Sequence, residues 1–600
     1  MTPPPRKADA DAAAPHRAPD APLPAPSTRK RTSASRTTRH LRTPLVFLLI
    51  FAVVLLLHLT LLELPYYLDE AGYFIPAARD IYTDGQFVPH STLSNAHPPL
   101  VMAYLALAWS LFGFRVVVTR TAMLLVSALA LTGLFRLAER VSNARVAAAT
   151  VLCTALYPVF FAQSSLAHLD LTAAALTLWG LVLYLPPRHD EVGAPDEAVG
   201  AGLVPARVDS SARVDSTDAT SREEDGQGQA LPLQNQRGLQ NSSAALYSGD
   251  SGVLESRSGR RALCVAVFAL AALAKETALL VPFVLCAWEL LCRLARKRER
   301  LAATVCVERP RAVLWSLALL LACAPLALWF AYHRARTGYT FGNPDYFRYN
   351  VASTLSLARV LTAGWERLKH VTYHMNLWAL TLAGLAAMFL RPRRDGNVER
   401  TRIAPPVQLL FAVLILAHVF ALSLVGGAVL ARYMLPVLPL VLLVWVSTIR
   451  RRVPLWPLAV ALVCAAFVYR TEVNPPYSFP WEDNLAYRDF VLLHRDAAHF
   501  LDAHSPGARV LTAWPATDEL KNPDFGYLER PVRVVPAADF KYETLMQAAR
   551  QKSDYDAALL FSTHGGLGLE EARQLLGGRV IFQEERKGQW VAVVEVSSKQ

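Results

Sequence analysis

The chain has 600 residues, of which 53% are hydrophobic and 18% charged, and its formal net charge is +12. Soluble proteins carry about 25% charged residues, whereas here apolar residues gather in runs near the length of a membrane-crossing helix. The composition excludes a cytosolic enzyme and a secreted disulfide scaffold. Lysine and arginine stand in short clusters between apolar runs, which indicates membrane topology and not a nucleic-acid partner.

The N-terminal part of the chain divides into a tail, a hydrophobic helix and a loop. Residues 1–42 are rich in Pro, Ala, Ser and Thr and end in basic residues, which predicts a disordered cytoplasmic tail. A transmembrane domain is predicted over residues 43–469, with about 11–13 membrane helices. Its first apolar run is followed by a polar first outer loop, residues 65–98.

Positive charge predicts which connections lie inside. Basic connections at 136–145, 293–300, 391–402 and 449–452 are assigned to the cytoplasmic side, which leaves 65–98, 164–168, 333–374 and the region after 470 outside. The apolar segment 99–113 is too short to cross directly, at roughly 22 Å as a helix against a core of about 30 Å. We therefore expect it to be juxtamembrane, re-entrant or strongly tilted, since a full crossing would put Asp170 and Asp69 on opposite sides.

Two regions differ in texture from the membrane segments. Residues 187–260 are polar and poor in aromatics, which predicts a disordered cytoplasmic insertion. Residues 470–600 alternate strand-like and helical stretches, which predicts an extracytoplasmic α/β domain. This domain has no G-x-G-x-x-G or P-loop motif and so no predicted nucleotide site. The seven cysteines lie in or beside apolar segments, which predicts buried small hydrophobes without structural disulfides.

The first candidate site residues follow the first hydrophobic helix, in the sequence LPYYLDEAGYF. Asp69 and Glu70 lie at a membrane edge, where carboxylates are costly unless they are solvated or paired, and where they are candidates for function. The alternative is an ordinary solvated helix end. The same loop ends in NAHPPL, where His97 precedes two prolines that favour an extended connection. His97 could join a polar cluster or be a simple turn residue.

Further polar residues begin later apolar segments. Asp170 stands at the start of an apolar helix, where it either caps the helix or faces the same outer cavity as Asp69. Lys275 and Glu276 interrupt an apolar run, and Arg432 and Tyr433 open another segment on the predicted outer side. Cations at such an interface suit a lipid phosphate, with snorkelling as the alternative. Arg334 adds outer polar surface that could cover the cavity.

In this order, LDEAGYF, HPPL followed by a short segment ending LFG, HLDLTAA, AKETALLVP and ARYMLPVLP resemble the family 39 glycosyltransferases. These GT-C enzymes include protein O-mannosyltransferases and lipid A aminoarabinose transferases. The resemblance covers roughly residues 43–450. It implies a GT-C-like fold and transfer of a sugar from a polyprenyl-phosphate donor outside the membrane, with inversion.

The resemblance also implies roles for residues. Asp69 matches the catalytic acidic residue of the first loop, with Glu70 beside it, and Asp170 matches the second acidic position. Lys275 and Arg432 fall where cations near the lipid phosphate are expected. The aminoarabinose branch has a lysine where this chain has His97, and an insertion as long as 187–260 is not part of the family pattern.

The predicted chemistry follows from this arrangement. Inverting transfer needs a base on the acceptor hydroxyl, predicted to be Asp69, and cations for the leaving phosphate, predicted to be Lys275 and Arg432. A divalent cation held by Asp69 and Asp170 is left open, because two carboxylates without a tight motif do not define a metal site.

The predicted partners are a lipid-linked sugar donor, membrane lipids, and a glycan, lipid or protein acceptor, at a bacterial inner membrane with an outward-facing site. The rival functions are a transporter or flippase for lipid-linked sugars, and a non-catalytic envelope assembly protein.

Overall fold

The computed structural model describes residues 34–186, 257–295, 306, 313–344, 347–348, 356–425, 427–563 and 565–596. The chain forms two units, Met1–Val46 and Phe47–Gln600. The fold and the site described below belong to the second unit. Most of the predicted cytoplasmic tail (1–42) and insertion (187–260) lies outside the described residues. Helix is already present from Ala34 and from Arg257, so each predicted disordered segment ends earlier than expected.

The chain up to Glu472 is mainly helical. Its helices are α1 (Ala34–Leu57), α2 (Ile75–Asp84), α3 (Leu100–Phe112), α4 (Val116–Val141), α5 (Ala144–Leu156), α6 (Pro158–Gln163), α7 (Leu169–Tyr184), α8 (Arg257–Ala274), α9 (Leu280–Ala295), α10 (Val313–Ala318), α11 (Ala324–Thr337), α12 (Leu357–Thr372), α13 (Leu377–Met388), α14 (Pro405–Leu424), α15 (Leu438–Arg452) and α16 (Trp456–Glu472). A short hairpin with two-residue strands, β1 (Arg394–Asp395) and β2 (Val398–Glu399), joins α13 to α14.

Apolar composition and length mark the membrane helices. Four described helical stretches are long and apolar enough to cross a membrane, namely Val116–Val141, Glu276–Ala295, Val313–Thr337 and Pro405–Leu424. Shorter apolar helices include Leu100–Phe112, Ala144–Leu156 and Leu169–Tyr184. Large apolar side chains on the outer faces of the long stretches are exposed, for example Leu328, which is 70% exposed, and Phe420, which is 64% exposed. Apolar surface of this extent suits contact with lipid.

Helix α3 corresponds to the short segment whose topology the sequence left open. It has 13 residues, so it spans about 20 Å, less than the hydrocarbon core of about 30 Å. Its N-terminus follows the His97-Pro-Pro sequence, and Gly113 ends it with a φ of 84°. The structure also brings Asp170 and Asp69 to the same arginine, Arg432. The two carboxylates therefore share one cavity.

The region after Glu472 forms the predicted α/β domain. It contains α17 (Ala486–His504), β3 (Arg509–Ala513), α18 (Ala516–Lys521), β4 (Arg533–Ala537), α19 (Tyr542–Arg550), β5 (Ala557–Phe561), α20 (Leu569–Leu576), β6 (Arg579–Arg586) and β7 (Gln589–Glu595). The sheet order is β4-β3-β5-β7-β6, with β4, β3 and β5 parallel and β7 antiparallel to β5 and β6. The predicted strand-like runs ARVLTAW, PVRVVP, YDAALLFS, RVIFQEE and WVAVVEV each coincide with one of these five strands, of which β4, β6 and β7 extend one residue beyond their runs.

The two largest apolar clusters show that this domain is not a separate appendage. One cluster fills the interior of the membrane helices, with residues from α4, α7, α13 and α15. The other joins the first outer loop to the α/β domain, so that Tyr67 packs against Tyr487 and Phe490. Tyr527 donates a hydrogen bond to the Tyr66 carbonyl at 2.9 Å. The α/β domain therefore supports the loop that carries Asp69.

Candidate active site

A cavity of about 750 Å³ lies between the first outer loop and the ends of α7, α8 and α14. Its walls include seven of the predicted site residues, namely Asp69, His97, Asp170, Lys275, Glu276, Arg432 and Tyr433. Apolar side chains form much of the remaining wall, among them Leu280, Phe283, Phe330, Phe341, Leu422 and Val425. The structure thus places the predicted polar residues, which are up to 364 positions apart, around one space.

Arg432 is the centre of the polar cluster. It is 4% exposed and lies in a short helical turn, Ala431–Met434, that precedes α15. Its Nη2 donates to Asp69 Oδ2 at 2.5 Å, and its Nε lies 3.6 Å from Asp170 Oδ2, an ion pair longer than a hydrogen bond. Asp69 itself is 43% exposed at its side chain. The guanidinium is therefore buried, while the carboxylate that it orients remains accessible from the cavity.

Lys275 extends this cluster to a second cation. Its ammonium donates to Asp170 Oδ1 at 2.5 Å and lies 3.8 Å from the centre of the Tyr433 ring. Lys275 follows the last residue of α8, where the chain turns into the segment Glu276–Leu279. The charges thus alternate in the order Asp69, Arg432, Asp170, Lys275, so that Asp69 and the ammonium stand at opposite ends of the series.

His97 and Glu276 form another pair on the cavity wall. His97 Nδ1 lies 3.6 Å from Glu276 Oε2, and the His97 ring packs edge-to-face on Tyr73 at 5.4 Å between ring centres. Both residues line the cavity. The structure therefore brings both predicted residues into the site, His97 from the end of the first loop and Glu276 from the α8–α9 connection.

Glu70 does not line the cavity, in contrast to the prediction that it acts beside Asp69. Its side chain is fully buried, 0% exposed, and forms an ion pair with Arg120 of α4 at 2.5 and 3.0 Å. The backbone N–H groups of Tyr67 and Ala167 donate to its two oxygens at 2.8 and 2.6 Å. A carboxylate with four such donors and no exposure fastens the first loop to α4 and to the start of α7. The prediction that Glu70 is a catalytic residue is therefore corrected: Glu70 holds the loop that carries Asp69 and does not face the cavity.

Replacing Glu70 by glutamine is expected to destabilise the protein, because Arg120 would keep a buried charge without its counter-ion. Removal of one partner of a buried ion pair costs about 3–5 kcal/mol. Thermal unfolding of the purified protein in detergent measures the loss. Glu63→Gln, at an exposed site in the same connection, is the control and should change stability by no more than about 0.5 kcal/mol. A Glu70→Gln protein with unchanged stability and no activity would return Glu70 to the catalytic group.

Backbone strain precedes two of the cavity residues. Leu68, just before Asp69, has a φ of 29°, and Ala96, just before His97, has a φ of 57°. Positive φ costs of order 1–3 kcal/mol for such residues and persists where the surrounding structure imposes it. Both positions are held by neighbours, since the Leu68 carbonyl accepts from Gly72 N and the Ala96 carbonyl from Trp329 Nε1. The strain sets the directions in which the Asp69 and His97 side chains project.

Phe341 lines one side of the cavity, and its neighbours hold the segment against the first outer loop. Asn343 N donates to the Ser94 carbonyl at 3.0 Å, and a Cβ at Gly342 would lie 2.8 Å from the Asn95 carbonyl carbon, so only glycine allows this approach. The predicted cover residue Arg334 is not part of that wall. It is exposed at the end of α11, with its Nη1 3.4 Å from Thr340 Oγ1. The prediction for Arg334 as a substrate-binding residue is therefore not supported by its position.

Two neighbours of Arg432 were not among the predicted site residues. Glu482, in the turn Trp481–Asp483 before α17, accepts from Arg432 Nη1 at 2.8 Å, and His168 Nδ1 lies 2.9 Å from the same nitrogen. Burial, and then the charge of Arg432, hold the pKa of His168 well below its usual value, so a neutral imidazole contacts the guanidinium. His168 had a visible signal beside Asp170, but Glu482 lies in a region predicted as a separate domain.

Three ligand-type side chains surround one point of this cluster. Donor atoms of Asp69, His168 and Glu482 lie within 4.8 Å of one another. Arg432 contacts all three, however, and the predicted ligands Asp69 and Asp170 are likewise bridged by its guanidinium. Asp170 also has Lys275 on its other oxygen. Because fixed cations already occupy these contacts, the residues do not fit a divalent metal, and we derive no step through one.

Comparison with known proteins supports the resemblance seen in the motifs. The family described as dolichyl-phosphate-mannose-protein mannosyltransferase matches residues 96–191, about a sixth of the chain. This segment contains His97, α3 to α7 and Asp170. The predicted resemblance to this glycosyltransferase family is therefore confirmed, and the chain is a helical integral membrane protein with a C-terminal sheet domain. No curated protein matches the chain in sequence.

Three solved structures to which the chain is similar are distant from it in sequence. ArnT from Cupriavidus metallidurans bound to undecaprenyl phosphate is 14% identical, with 94% of this chain and 99% of that chain covered and a TM-score of 0.47. Its apo state is 15% identical, with coverages of 93% and 98% and a TM-score of 0.44. The archaeal oligosaccharyltransferase AglB from Archaeoglobus fulgidus, in complex with an inhibitory peptide and a dolichol-phosphate, is 10% identical, with coverages of 92% and 74% and a TM-score of 0.40.

Proposed function

We propose that the protein is a membrane glycosyltransferase that moves a sugar from a polyprenyl-phosphate donor to an acceptor hydroxyl, with inversion. The observation that carries the proposal is the alternating series Asp69, Arg432, Asp170 and Lys275 on one cavity wall. It offers an accessible base at one end and cations for a phosphate at the other. The family match over residues 96–191, a mannosyltransferase family that uses a dolichyl-phosphate-linked sugar, supports the same reaction.

The donor phosphate is assigned to Lys275 and Arg432. Both side chains line the cavity, and both are almost fully buried within the protein. A guanidinium and an ammonium can each form charge-assisted hydrogen bonds with phosphate oxygens, and such bonds are strong in a site of low dielectric. The negative charge on the phosphate grows as the sugar departs, so cations fixed in advance lower the barrier. We propose that they, and no divalent cation, provide this charge.

The lipid part of the donor is assigned to the apolar wall. Phe283 is 49% exposed and Val425 53% exposed although both line the cavity. Phe283 lies on α9, and Val425 directly follows α14. Both helices belong to stretches long enough to cross a membrane. A cavity with such a wall can accept an isoprenoid chain from the bilayer while its phosphate stays beside Lys275.

The reaction needs one base and one leaving group. Asp69 accepts the proton of the acceptor hydroxyl as its oxygen bonds to the anomeric carbon, and the bond from that carbon to the phosphate oxygen breaks on the opposite face. The electron pair of that bond stays with the polyprenyl phosphate. Asp69 and Lys275 stand at opposite ends of the charge series, as a base and a leaving phosphate on opposite faces of a sugar require.

The predicted location follows from the donor class and from the charge pattern. We propose a bacterial inner membrane, with the cavity and the α/β domain on the outer side. The basic connections 391–402 and 449–452 meet in space, since Arg400 donates to the Arg450 carbonyl at 2.8 Å. That meeting supports their assignment to one membrane side. A glycan, a lipid or a protein remain the acceptor classes, because each presents a hydroxyl to the same cavity.

A transporter of lipid-linked sugars and a non-catalytic assembly protein are the rival functions. A flippase needs cations for the phosphate but no base aimed at an acceptor, whereas Asp69 is both exposed to the cavity and held by Arg432. A non-catalytic assembly protein would need neither the cations for a phosphate nor the base. The accessible carboxylate therefore favours the transferase.

The proposal is tested with the purified full-length protein in lipid, with cell-envelope extract as acceptor. A panel of radiolabelled polyprenyl-phosphate sugars is offered with and without EDTA. We expect label transfer from one donor and no loss of the rate in EDTA. Failure of every donor in the panel to label an acceptor would contradict the transferase proposal. Dependence on an added divalent metal would contradict the assignment of the phosphate charge to Lys275 and Arg432.

A further inference from the structure

The α/β domain contributes one charged side chain to the cluster behind the cavity. Glu482 lies between α16 and α17, with a side chain 7% exposed, and accepts from Arg432 Nη1 at 2.8 Å. It is not among the described residues that line the cavity, whereas Arg432 and Asp69 are. A phosphate in the cavity can thus reach Arg432 but not Glu482. Any effect of Glu482 on the donor must act through the guanidinium.

The backbone that carries Glu482 is fastened on both sides. Asp483 Oδ2 lies 2.9 Å from His374 Nε2, and Tyr477 OH lies 3.2 Å from His374 Nδ1. Gln163 Nε2 donates to the Glu482 carbonyl at 3.2 Å. These contacts tie the turn to the α12–α13 connection and to the end of α6. The carboxyl group of Glu482 is therefore held at a fixed place relative to the membrane helices.

From this geometry we propose that Glu482 is a positioning residue for the proposed sugar transfer. It holds the Arg432 guanidinium from the side away from the cavity, so that the opposite nitrogens face Asp69 and the donor phosphate. A planar guanidinium needs contacts at more than one nitrogen to keep its orientation. Glu482 and His168 hold Nη1, and Asp69 holds Nη2. The inference rests on the proposed function for the identity of the donor.

The charge state of Glu482 decides how much of the Arg432 charge remains for the phosphate. Burial raises the pKa of Glu482 to about 8, against the opposing effect of Arg432. The charged or titratable groups that face it are Arg432, Asp69, Asp170, Asp483, His168 and Tyr67. Below about pH 8 a neutral carboxyl accepts from Arg432 without cancelling its charge. Above that pH the carboxylate competes with the donor phosphate for Arg432.

The test measures binding of polyprenyl phosphate, without a sugar, to the purified full-length protein between about pH 6 and about pH 10, a range that spans the pKa of Glu482. For the wild type, the Kd should rise about tenfold per pH unit above the pKa, the limit for one linked proton. Glu482→Gln keeps a neutral acceptor, so its Kd should stay near the low-pH wild-type value across the range. Glu482→Ala removes both the contact and the titrating group, so its Kd should be independent of pH and about tenfold above the low-pH wild-type value, at the lower limit for loss of a group that orients a binding residue.

Glu519→Gln is the matched control, since Glu519 is a buried carboxylate of the same domain, 2.6 Å from His494. It should keep the wild-type pH dependence. An identical rise of Kd in Glu482→Gln and wild type would overturn the proposal, as would a folded Glu482→Ala protein that binds as tightly as the wild type below the pKa of Glu482. If the alanine variant does not fold, the glutamine variant decides. Wild-type protein that shows the predicted binding profile but transfers no sugar would contradict the proposed function and leave the role of Glu482 standing.

Discussion

Asp69→Asn is expected to reduce kcat/KM for sugar transfer by about 10²- to 10⁴-fold, the usual contribution of a general base. The asparagine has the same shape, and its carbonyl oxygen can still accept from Arg432. What it loses is the ability to take the acceptor proton. Because the Asp69 side chain is 43% exposed and Arg432 keeps Asp170 and Glu482 as partners, the fold should be retained.

The measurement compares initial rates of the two proteins with the donor that the wild type uses, at saturating and limiting donor concentrations. The expected split is a large fall in kcat with a donor KM close to wild type, because the amide replaces the base but leaves Lys275 and Arg432 in place. Asp84→Asn is the control, since Asp84 is an exposed carboxylate at the end of α2. Equal rates in wild type and Asp69→Asn would remove Asp69 as the base, and the scaffold or transporter interpretation would gain support.

The fold was largely predictable because its signals are local. Apolar runs of membrane length, basic connections and period-two apolar strands each depend on neighbouring residues only. The five strands of the C-terminal sheet accordingly coincide with the predicted runs, and none extends more than one residue beyond its run. Boundaries were less accurate, since α1 begins at Ala34 inside the predicted tail, and α16 runs to Glu472 past the predicted end of the membrane domain at 469.

The candidate site was predictable only where a polar residue interrupts an apolar run. Asp170, Lys275 and Arg432 are conspicuous for that reason, and the structure places them on one wall. Glu70 gave the same signal as Asp69 from the adjacent position, but a π-helical turn, Glu70–Phe74, follows Asp69 and directs the two side chains to different surroundings. Which of two neighbouring carboxylates faces a cavity depends on tertiary contacts, here those of Glu70 with Arg120.

Glu482 shows a second limit of reasoning from the sequence. It lies in the polar segment WEDN, 50 positions after Arg432, in a stretch whose polar composition is ordinary for an outer domain. Tertiary packing brings that segment to the cavity, through Tyr67 against Tyr487 and Phe490 and through the contacts of His374 and Gln163 with the turn itself. A long-range contact of this kind has no local pattern from which it could be predicted.

Arg432→Lys is expected to lower kcat/KM for the donor by about 10²- to 10³-fold, which corresponds to about 2.7–4 kcal/mol of lost transition-state stabilisation. The substitution keeps one positive charge, so a loss of this size would come from geometry. A single ammonium cannot replace a planar group whose nitrogens reach Asp69, Asp170 and Glu482 at once. It would also leave part of a buried acidic cluster without a partner, which raises the cost of bringing a phosphate near it.

The effect should appear in both kinetic constants, because Arg432 contacts the donor phosphate in the ground state and its growing charge in the transition state. This pattern separates Arg432→Lys from Asp69→Asn, in which the donor KM is preserved. Arg359→Lys is the control for an arginine near the same rim, since Arg359 donates to the Gly427 carbonyl and contacts none of the carboxylates in the series. If Arg432→Lys is folded and retains kcat/KM within about threefold, less than a typical loss for a transition-state donor, the phosphate must be held by Lys275 without Arg432, and the assignment of Arg432 to the donor phosphate would be wrong.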